Sequence, residues 1–522
     1  MGRGDSRVYR RSTRAGMLAL GLLIVTGVGV AVGVLDVSNS IGVAFATAVL
    51  VVALAPTIVR LHQGRFDLFE PTFGAGVMLA LLFGIRPIYA IANPSFSYVG
   101  YQIEAEFSTA IGLGLLGTGA FMIGYWGLRI GLPVVSGGQH RGREPAASTV
   151  AKAPAIWIGL LAGVLGLTLF AINLLRLGSP AYAISLWLAG RSSDLVNAYV
   201  GSSAYLALGP VLLACGATAI GVVSGWQLAR WQWVLVVAMV ATSALIFSVG
   251  GDRRFLLPCI GVPVAAYYLS TGSRPGRTLM LALVPVAFVI LAIIPFARAA
   301  GAREQAGGVI PIFADAFGAP LTAWDRFIMG PDTEMVSALA LQVGLQRTPD
   351  DFYYGRATLG DLLIAPIPSA IFPLKPVSAR DDLLIRAFGA PCTVLPGTLC
   401  PDFSAIGTFY QDLWWIGVII GMAALGGMSR SIWMRYKARP RSPQRILMAA
   451  TWAISLPILI RAGFMPSFSW WLVFLVPTSV ITAFGIAWGG RFTPRHGRPL
   501  ASTSKHLLLP SSRPQAGRWQ AR

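Results

Sequence analysis

The chain has 522 residues, of which 55% are hydrophobic and only 12% are charged, and its mean hydropathy is +0.67. Soluble domains carry about 25% charged residues, so this composition excludes a string of soluble domains. The net charge of +20 by itself would suit nucleic-acid binding, but the positions of the charges argue for a membrane protein. Four cysteines and four scattered histidines predict neither a disulfide-rich scaffold nor a metal site.

Apolar stretches of roughly 15 to 20 residues recur along the chain and predict an all-α polytopic integral membrane protein with about twelve transmembrane helices. The first stretch follows a basic segment but is too long for a signal peptide, so we expect a retained helix. The predicted spans are 17–35, 41–59, 73–91, 109–128, 155–174, 204–223, 233–249, 255–269, 279–296, 413–428, 446–460 and 470–488.

The loop charges give the predicted orientation. With the N-terminus in the cytoplasm, the cytoplasmic segments hold 27 of the 41 Lys and Arg residues but only 4 of the 21 acids. This distribution follows the positive-inside rule and places both termini in the cytoplasm, in the plasma (inner) membrane. The predicted organisation is a cytoplasmic basic segment (1–15), helices 1–9 (16–296), an extracytoplasmic loop (297–412), helices 10–12 (413–489) and a cytoplasmic disordered tail (490–522).

The predicted outer loop is too long for a passive connection, and its aromatic content favours an ordered structure. The sequence predicts an amphipathic helix over 331–345. The proline-rich stretch 364–374 is incompatible with a regular spanning helix and is expected to lie in the interface or to re-enter the membrane. Cys392 and Cys400 are disulfide candidates, with two free thiols as the alternative. Cys215 and Cys259 are predicted to be small apolar packing residues within spans.

Cations are disfavoured on the outer side of a membrane protein, so those predicted to lie there are candidates for a functional role. Arg253 and Arg254 stand at the mouth of a helix, where guanidinium groups bind phosphate in bidentate fashion; pairing with Asp252 or contact with lipid headgroups is the alternative. Arg86 lies inside the third span, where a charge is a functional candidate. The remaining binding candidates are Arg191, Arg298, Lys375 and Arg380, with Arg176 and Arg303 weaker.

A general base on the predicted outer side has to be an acid or a tyrosine, because no histidine falls there. Asp402, Tyr410 and Asp412 lie just before the tenth predicted span and are the candidates for that catalytic role. Each of the three also has a structural alternative. No Walker motif and no Gly-x-Gly-x-x-Gly sequence before a helix is found, which argues against a nucleotide-binding unit.

Six short motifs lie along the chain between roughly residues 60 and 490. They are Asp67-Leu-Phe-Glu-Pro71, Arg86-Pro87, Gly251-Asp-Arg-Arg-Phe-Leu-Leu257, Phe352-Tyr-Tyr-Gly355, Ile367-Pro-Ser-Ala-Ile-Phe-Pro-Leu-Lys-Pro376 and Ser404-Ala-Ile-Gly-Thr-Phe-Tyr-Gln-Asp412. Together they resemble the bacterial oligosaccharide repeat-unit polymerases of the O-antigen polymerase type. Thr408 stands where that family tends to have an acid, Asp412 where it tends to have Asn, and Trp414 where it often has Gly.

The resemblance implies a glycosyltransferase that joins polyprenyl-diphosphate-linked oligosaccharides without a metal or another cofactor. It also implies the lipid bilayer, a flippase and a chain-length regulator as partners, and no nucleic acid. Three alternatives stay open. An O-antigen ligase would usually carry an outer-loop histidine, and a secondary transporter or lipid-linked glycan flippase would tend to show two similar halves. The third is a non-catalytic partner of a polysaccharide assembly machine.

Overall fold

The protein is an all-α polytopic membrane protein. The computed structural model describes residues 37–64, 66–92, 96–98, 100–127, 152–176, 179, 181–182, 208–249, 253–273, 275–276, 309–330, 333–364, 367, 372, 374–389 and 402–491. The first predicted span (17–35), the ninth (279–296) and residues 492–522 of the predicted cytoplasmic tail lie outside these residues.

The helices, numbered in chain order, are α1 (Val37–His62), α2 (Pro71–Ala80), α3 (Arg86–Ala92), α4 (Glu104–Trp126), α5 (Lys152–Arg176), α6 (Val211–Val223), α7 (Arg230–Val249), α8 (Arg253–Thr271), α9 (Val309–Gly318), α10 (Pro320–Met329), α11 (Met335–Leu345), α12 (Asp361–Ile364), α13 (Ala379–Phe388), α14 (Ala405–Ala438), α15 (Pro443–Ala462) and α16 (Phe464–Arg491). A π-helical segment (Leu81–Ile85) joins α2 to α3, and a second one (Arg356–Gly360) precedes α12. Two short antiparallel strands, β1 (Ser97–Tyr98) and β2 (Tyr101–Gln102), form a hairpin.

Eight helical segments of the described chain are long and apolar enough to cross a bilayer, and each coincides with a predicted span. They are Ser40–His62, Pro71–Ala92, Glu104–Trp126, Ala153–Arg176, Arg230–Ser248, Ala405–Ala438, Pro443–Ala462 and Ser467–Trp488. Two further predicted spans, 204–223 and 255–269, overlap the shorter helix α6 and the two-proline helix α8. Apolar length alone therefore located the eight long helical segments correctly.

Glycines set how closely the central helices approach one another. A Cβ built on Gly124 of α4 would lie 2.0 Å from the backbone oxygen of Ala423 in α14, and one on Gly426 would lie 2.1 Å from that of Phe121. In the same way, Gly159 of α5 faces Gly216 near the middle of α6, and Gly166 of α5 faces Gly209 just before α6. Small residues at such crossings let backbones approach closely, which favours the van der Waals packing between helices in lipid.

Polar contacts lie at both ends of the helix bundle. At one end, Arg60 pairs with buried Glu70, whose carboxylate accepts a 2.8 Å hydrogen bond from the Tyr125 hydroxyl. The Tyr436 hydroxyl donates to the backbone oxygen of Leu269 at the same end (2.9 Å). The sequence analysis predicts that these residues are cytoplasmic or lie at the adjoining span ends. At the other end, Arg254, Arg380 and Arg461 meet around Asp402.

Two details of the predicted outer loop differ from the sequence expectation. The predicted amphipathic helix at 331–345 is the shorter α11, and its residues from Met335 to Gln342 are all buried, so it is a core helix with no solvent face. The helix expected to begin at Leu413 begins at Ala405 instead and is interrupted at Leu413 (φ −143°, ψ 31°) and Trp414 (φ 56°, ψ −149°). The buried cysteines Cys215 and Cys259 do pack inside the bundle, as expected.

Candidate anion-binding site

Three arginines converge on the carboxylate of Asp402. Arg254 and Arg461 both approach Oδ2, the latter at 3.6 Å, while Arg380 approaches Oδ1 at 3.4 Å. Asp402 is 5% exposed, whereas the three arginine side chains remain 15–32% exposed. One carboxylate cannot neutralise three guanidinium groups, so these four side chains carry a net charge of +2 in a partly desolvated place.

Each arginine comes from a different helix end. Arg254 lies in the first turn of α8, where the helix macrodipole disfavours a cation, and its guanidinium stacks 5.2 Å from the centre of the Trp470 ring. Arg461 lies in the last turn of α15, where the macrodipole favours it. Arg380 lies in the first turn of α13, whose N-cap Ser378 accepts a hydrogen bond from the Asp381 backbone. Asp402 itself stands two residues before Ser404, the N-cap of α14, whose hydroxyl accepts from the Gly407 amide.

A second carboxyl group lies next to this cluster. Glu334 directly precedes the buried helix α11 and interacts with Arg86, Arg461 and the Tyr98 hydroxyl. Arg461 is thus shared between Asp402 and Glu334. Burial raises the pKa of Glu334 above its usual value, and the two arginines and the Tyr98 hydroxyl act against that rise.

Arg86 and Tyr98 are buried more deeply than the three arginines around Asp402. Arg86 is 6% exposed, follows the π-helical segment, and donates to the Met329 sulfur; π-bulges in helices often occur at functional sites. The Tyr98 hydroxyl faces Glu334 without the geometry of a full hydrogen bond, and burial raises the pKa of this phenol well above its usual value. Arg86 Nε and Tyr98 Oη have no hydrogen-bond partner among the described residues. Buried polar atoms in that state are expected to meet a polar ligand group or water.

Asp412, a predicted catalytic residue, holds the loop against α14. Its carboxylate accepts hydrogen bonds from the backbone amides of Ala357 (2.8 Å) and Thr358 (2.9 Å), and one from the Thr358 hydroxyl. The amides of Tyr353 and Tyr354 donate to the backbone oxygens of Gln411 and Asp412, both at 3.0 Å. These bonds satisfy carbonyl groups that the interruption of α14 leaves without helical partners.

The other predicted site residues are more dispersed. Tyr410 is buried and packs its ring against Phe352 at a centroid distance of 5.8 Å. Lys375 is partly exposed and donates to the Ile367 backbone oxygen (3.4 Å). Arg253 opens α8, but its side chain lies outside the described part of the structure. Arg191, Arg298, Cys392 and Cys400 also lie outside the described residues, and so do Arg303 and Asp252.

Of the predicted residues, the structure therefore brings together Arg254, Arg380 and Asp402, and sets Arg86 beside them through Glu334. Arg461, Glu334 and Tyr98 were not predicted. Arg461 carries the same signal as Arg254, a cation on the predicted outer side next to a span. Glu334 and Tyr98 have no local signal, since their surroundings come from distant parts of the chain.

Comparisons with protein-family models, with curated proteins and with solved structures give no match to this chain.

Proposed function

We propose that the chain is a polysaccharide polymerase that joins polyprenyl-diphosphate-linked oligosaccharide repeat units on the outer face of the plasma membrane. In this proposal the chain has about twelve spans, and residues 297–412 lie outside the cytoplasm. The observation that carries the proposal is the group of three arginines around Asp402 at one end of the helix bundle. The resemblance of the motifs to repeat-unit polymerases supports it independently.

The chemistry needs a cationic site for the leaving group. A hydroxyl oxygen of the acceptor sugar forms a bond to the anomeric carbon of the donor, and the bond from that carbon to the diphosphate oxygen breaks. The electron pair leaves with the polyprenyl diphosphate, so negative charge develops on a phosphate oxygen. Guanidinium groups fixed by their helices are suited to stabilise that charge without reorganisation.

The depth of the arginines in the bundle suits a lipid-linked substrate. Arg254 is in the first turn of one helix and Arg461 is in the last turn of another, positions that support a site at the level of the lipid headgroups. Trp414 and Trp415 are both exposed near the same end, and tryptophan is enriched at membrane interfaces. A diphosphate attached to a polyprenyl chain would lie at this level.

The test is a deletion of the gene in the source bacterium, complemented with variants. The proposal predicts that the deletion strain accumulates single lipid-linked repeat units on the outer side and makes no polymer. Arg254→Gln and Arg461→Gln should not restore the polymer, whereas Arg347→Gln should, because Arg347 forms an exposed ion pair with Glu106. Arg254→Lys should restore it only in part, since an ammonium group lacks bidentate geometry.

The outcomes separate the alternatives. Units that accumulate on the cytoplasmic side would indicate a flippase. Polymer that forms but is not transferred to its final acceptor would indicate a ligase. Loss of a partner protein from the membrane complex, with the purified chain inactive on lipid-linked units, would indicate an assembly factor. Any of these results would overturn the polymerase proposal.

A further inference from the structure

Two exposed aromatic residues have a backbone conformation that bulky side chains avoid. Tyr354 has φ 50° and Trp414 has φ 56°, and their side chains are 66% and 52% exposed. A positive φ is unfavourable for a residue with a large side chain, whereas glycine adopts it freely. An exposed ring recovers little of that cost through burial. Packing therefore does not explain why aromatic residues occupy these two positions.

Trp226 shows how packing can offset the same conformation. It is the third non-glycine residue of the described chain with a positive φ (60°), but its ring is buried. The ring stacks on Trp233 at a centroid distance of 5.5 Å, and its Nε1 donates to the Ser270 hydroxyl (3.3 Å). Tyr354 and Trp414 leave more than half of their side-chain surface open. Strained residues of that kind cluster at functional sites.

Trp414 lies at a point where α14 turns back on itself. A Cβ built on Gly417 would lie 2.1 Å from the backbone oxygen of Phe409, and one on Gly421 would lie 2.3 Å from the Phe409 ring. Residues eight positions apart in a continuous helix are separated by about 12 Å, so these contacts require a sharp turn of the chain at the interruption. Residues 405–412 therefore form a short helix, and Trp414 lies just beyond its end.

This short helix lies beside the arginine site. Its N-cap, Ser404, follows Asp402 by two residues, so the arginines lie at one end of the short helix. Gln411 Nε2 donates to the backbone oxygen of Ala379 (3.1 Å), which directly precedes Arg380. The length of residues 405–412 thus sets the separation between the arginine site and the aromatic end at about 12 Å.

Hydrogen bonds place Tyr354 at the aromatic end and fix its ring. Its amide donates to the backbone oxygen of Asp412 (3.0 Å), and its hydroxyl donates to that of Pro349 (2.8 Å). Pro349 belongs to an exposed stretch that includes Arg347 and Asp350, so the ring has charged neighbours. Such surroundings suit a polar ligand better than a lipid tail. A sugar ring has hydroxyl groups at its edge and C–H groups on its faces, which match the negative face of an aromatic ring.

We infer that Tyr354 and Trp414 bind sugar rings of the lipid-linked oligosaccharide by stacking. This inference rests on the proposed function and names the subsite for the glycan. With the diphosphate at the three arginines, the aromatic residues lie about 12 Å away along residues 405–412, where sugars beyond the first would pass. The arginines hold the charged end of the substrate, and the two rings hold its glycan.

The experiment uses the purified full chain in proteoliposomes and two probes, with calorimetry as the measurement. One probe is the free oligosaccharide that mild acid releases from the lipid-linked units of the deletion strain, and the other is inorganic pyrophosphate. Trp414→Gly and Tyr354→Gly should each weaken oligosaccharide binding by about tenfold. Pyrophosphate binding should stay within about twofold of wild type, because the two subsites are separate. Glycine suits both backbone positions, so these variants should fold.

Two further variants serve as controls. Tyr354→Phe keeps the ring, and Trp415→Ala removes a neighbouring exposed tryptophan with helical dihedrals. Both should bind the oligosaccharide within about threefold of wild type. In polymerisation assays with lipid-linked units, Trp414→Gly should raise KM by about tenfold and leave kcat within about threefold, because the rings bind the glycan equally in the ground state and the transition state.

Unchanged oligosaccharide binding and KM in Trp414→Gly and Tyr354→Gly would overturn the inference. An equal loss in Trp415→Ala would also overturn it, since that result would indicate a general effect of tryptophans at the membrane interface. So would a parallel loss of pyrophosphate binding, which would show that the rings support the arginine site instead. A deletion strain that accumulates no lipid-linked units would refute the proposed function, and the inference would fall with it.

Discussion

The Arg461 guanidinium lies 3.6 Å from the Asp402 carboxylate, which ties the last turn of α15 to the residues that lead into α14. The contact lies at the end of the bundle where Arg254 and Arg380 reach the same carboxylate. Asp402 thus holds together cations from three helices that would otherwise repel one another.

Asp402→Asn should destabilise the protein, because three guanidinium groups would lose their shared counter-charge. Removing one partner of a buried ion pair costs about 3–5 kcal/mol, and the partial exposure of Arg254 and Arg380 places the expected loss at or below the lower end of that range. Thermal unfolding in detergent measures the loss. Pyrophosphate should restore part of the melting temperature in this variant, since a ligand that binds only the folded state stabilises it.

The control for that prediction is Asp382→Asn, whose carboxylate is 30% exposed and pairs with a half-exposed Arg386. It should shift the melting temperature less and should respond to pyrophosphate as the wild type does. Equal stability of Asp402→Asn and wild type, with no pyrophosphate effect, would contradict the view that Asp402 neutralises the arginines.

Asp412→Asn should lower the melting temperature together with activity. An amide keeps one acceptor oxygen but turns an NH₂ group toward the donors of residues 357 and 358, and a hydrogen bond to a charged group contributes about 1.5–3 kcal/mol. Thr358→Val removes one of the donors to Asp412 and should also lower the melting temperature, by a smaller amount. If Asp412 is instead the catalytic base, its asparagine variant will lose activity at an unchanged melting temperature.

Glycine should be the better replacement for Trp414. The backbone there has φ 56° and ψ −149°, a region that costs a bulky residue about 1–3 kcal/mol and that glycine enters freely. Trp414→Gly should therefore be more stable than Trp414→Ala, although both lose the aromatic contacts of the ring with Phe352 and Trp415.

The neighbouring Trp415 provides the matched pair, because it has ordinary helical dihedrals and similar exposure. At that position alanine should be more stable than glycine by about 1 kcal/mol, following helix propensity. Differential scanning fluorimetry on the four variants measures the difference in melting temperature between the glycine and alanine variants at each position. If alanine is the more stable replacement at both positions, Trp414 carries no backbone strain.

Gly124→Ala should weaken the contact between α4 and α14. Its Cβ would lie 2.0 Å from the backbone oxygen of Ala423, so one helix would have to move away from the other. Gly119→Ala is the control in the same helix: a Cβ there meets no atom within 4 Å and should be neutral or gain up to about 1 kcal/mol. A melting temperature for Gly124→Ala at or above that of Gly119→Ala would refute the close packing.

The sequence located the described spans well, because the length and apolarity of a membrane helix are local properties of the chain. It also selected Arg254, Arg380 and Asp402 one by one, from charge sign and predicted side. The sequence did not predict that these three residues lie together, because their contacts depend on how α8, α13 and α15 pack against one another. Glu334 shows the limit most clearly: nothing near it in sequence indicates that Arg86, Arg461 and Tyr98 surround its carboxyl group.

Trp414 is a feature that sequence reasoning did not predict. The backbone there takes a conformation that only glycine adopts without cost. No local sequence signal indicates the interruption of α14, because the apolar stretch continues across it. The interruption became visible only through the dihedral angles.

The amide groups of Tyr353 and Tyr354, which donate to the backbone oxygens of Gln411 and Asp412, have a consequence for biogenesis. They belong to a segment that the ribosome makes before α14, so the donors already exist when the interrupted helix enters the bilayer. Tyr353→Pro would remove one of these amide donors from the backbone oxygen of Gln411. We expect that variant to be rejected by membrane quality control, whereas Tyr353→Phe, which keeps the amide, should yield a mature protein.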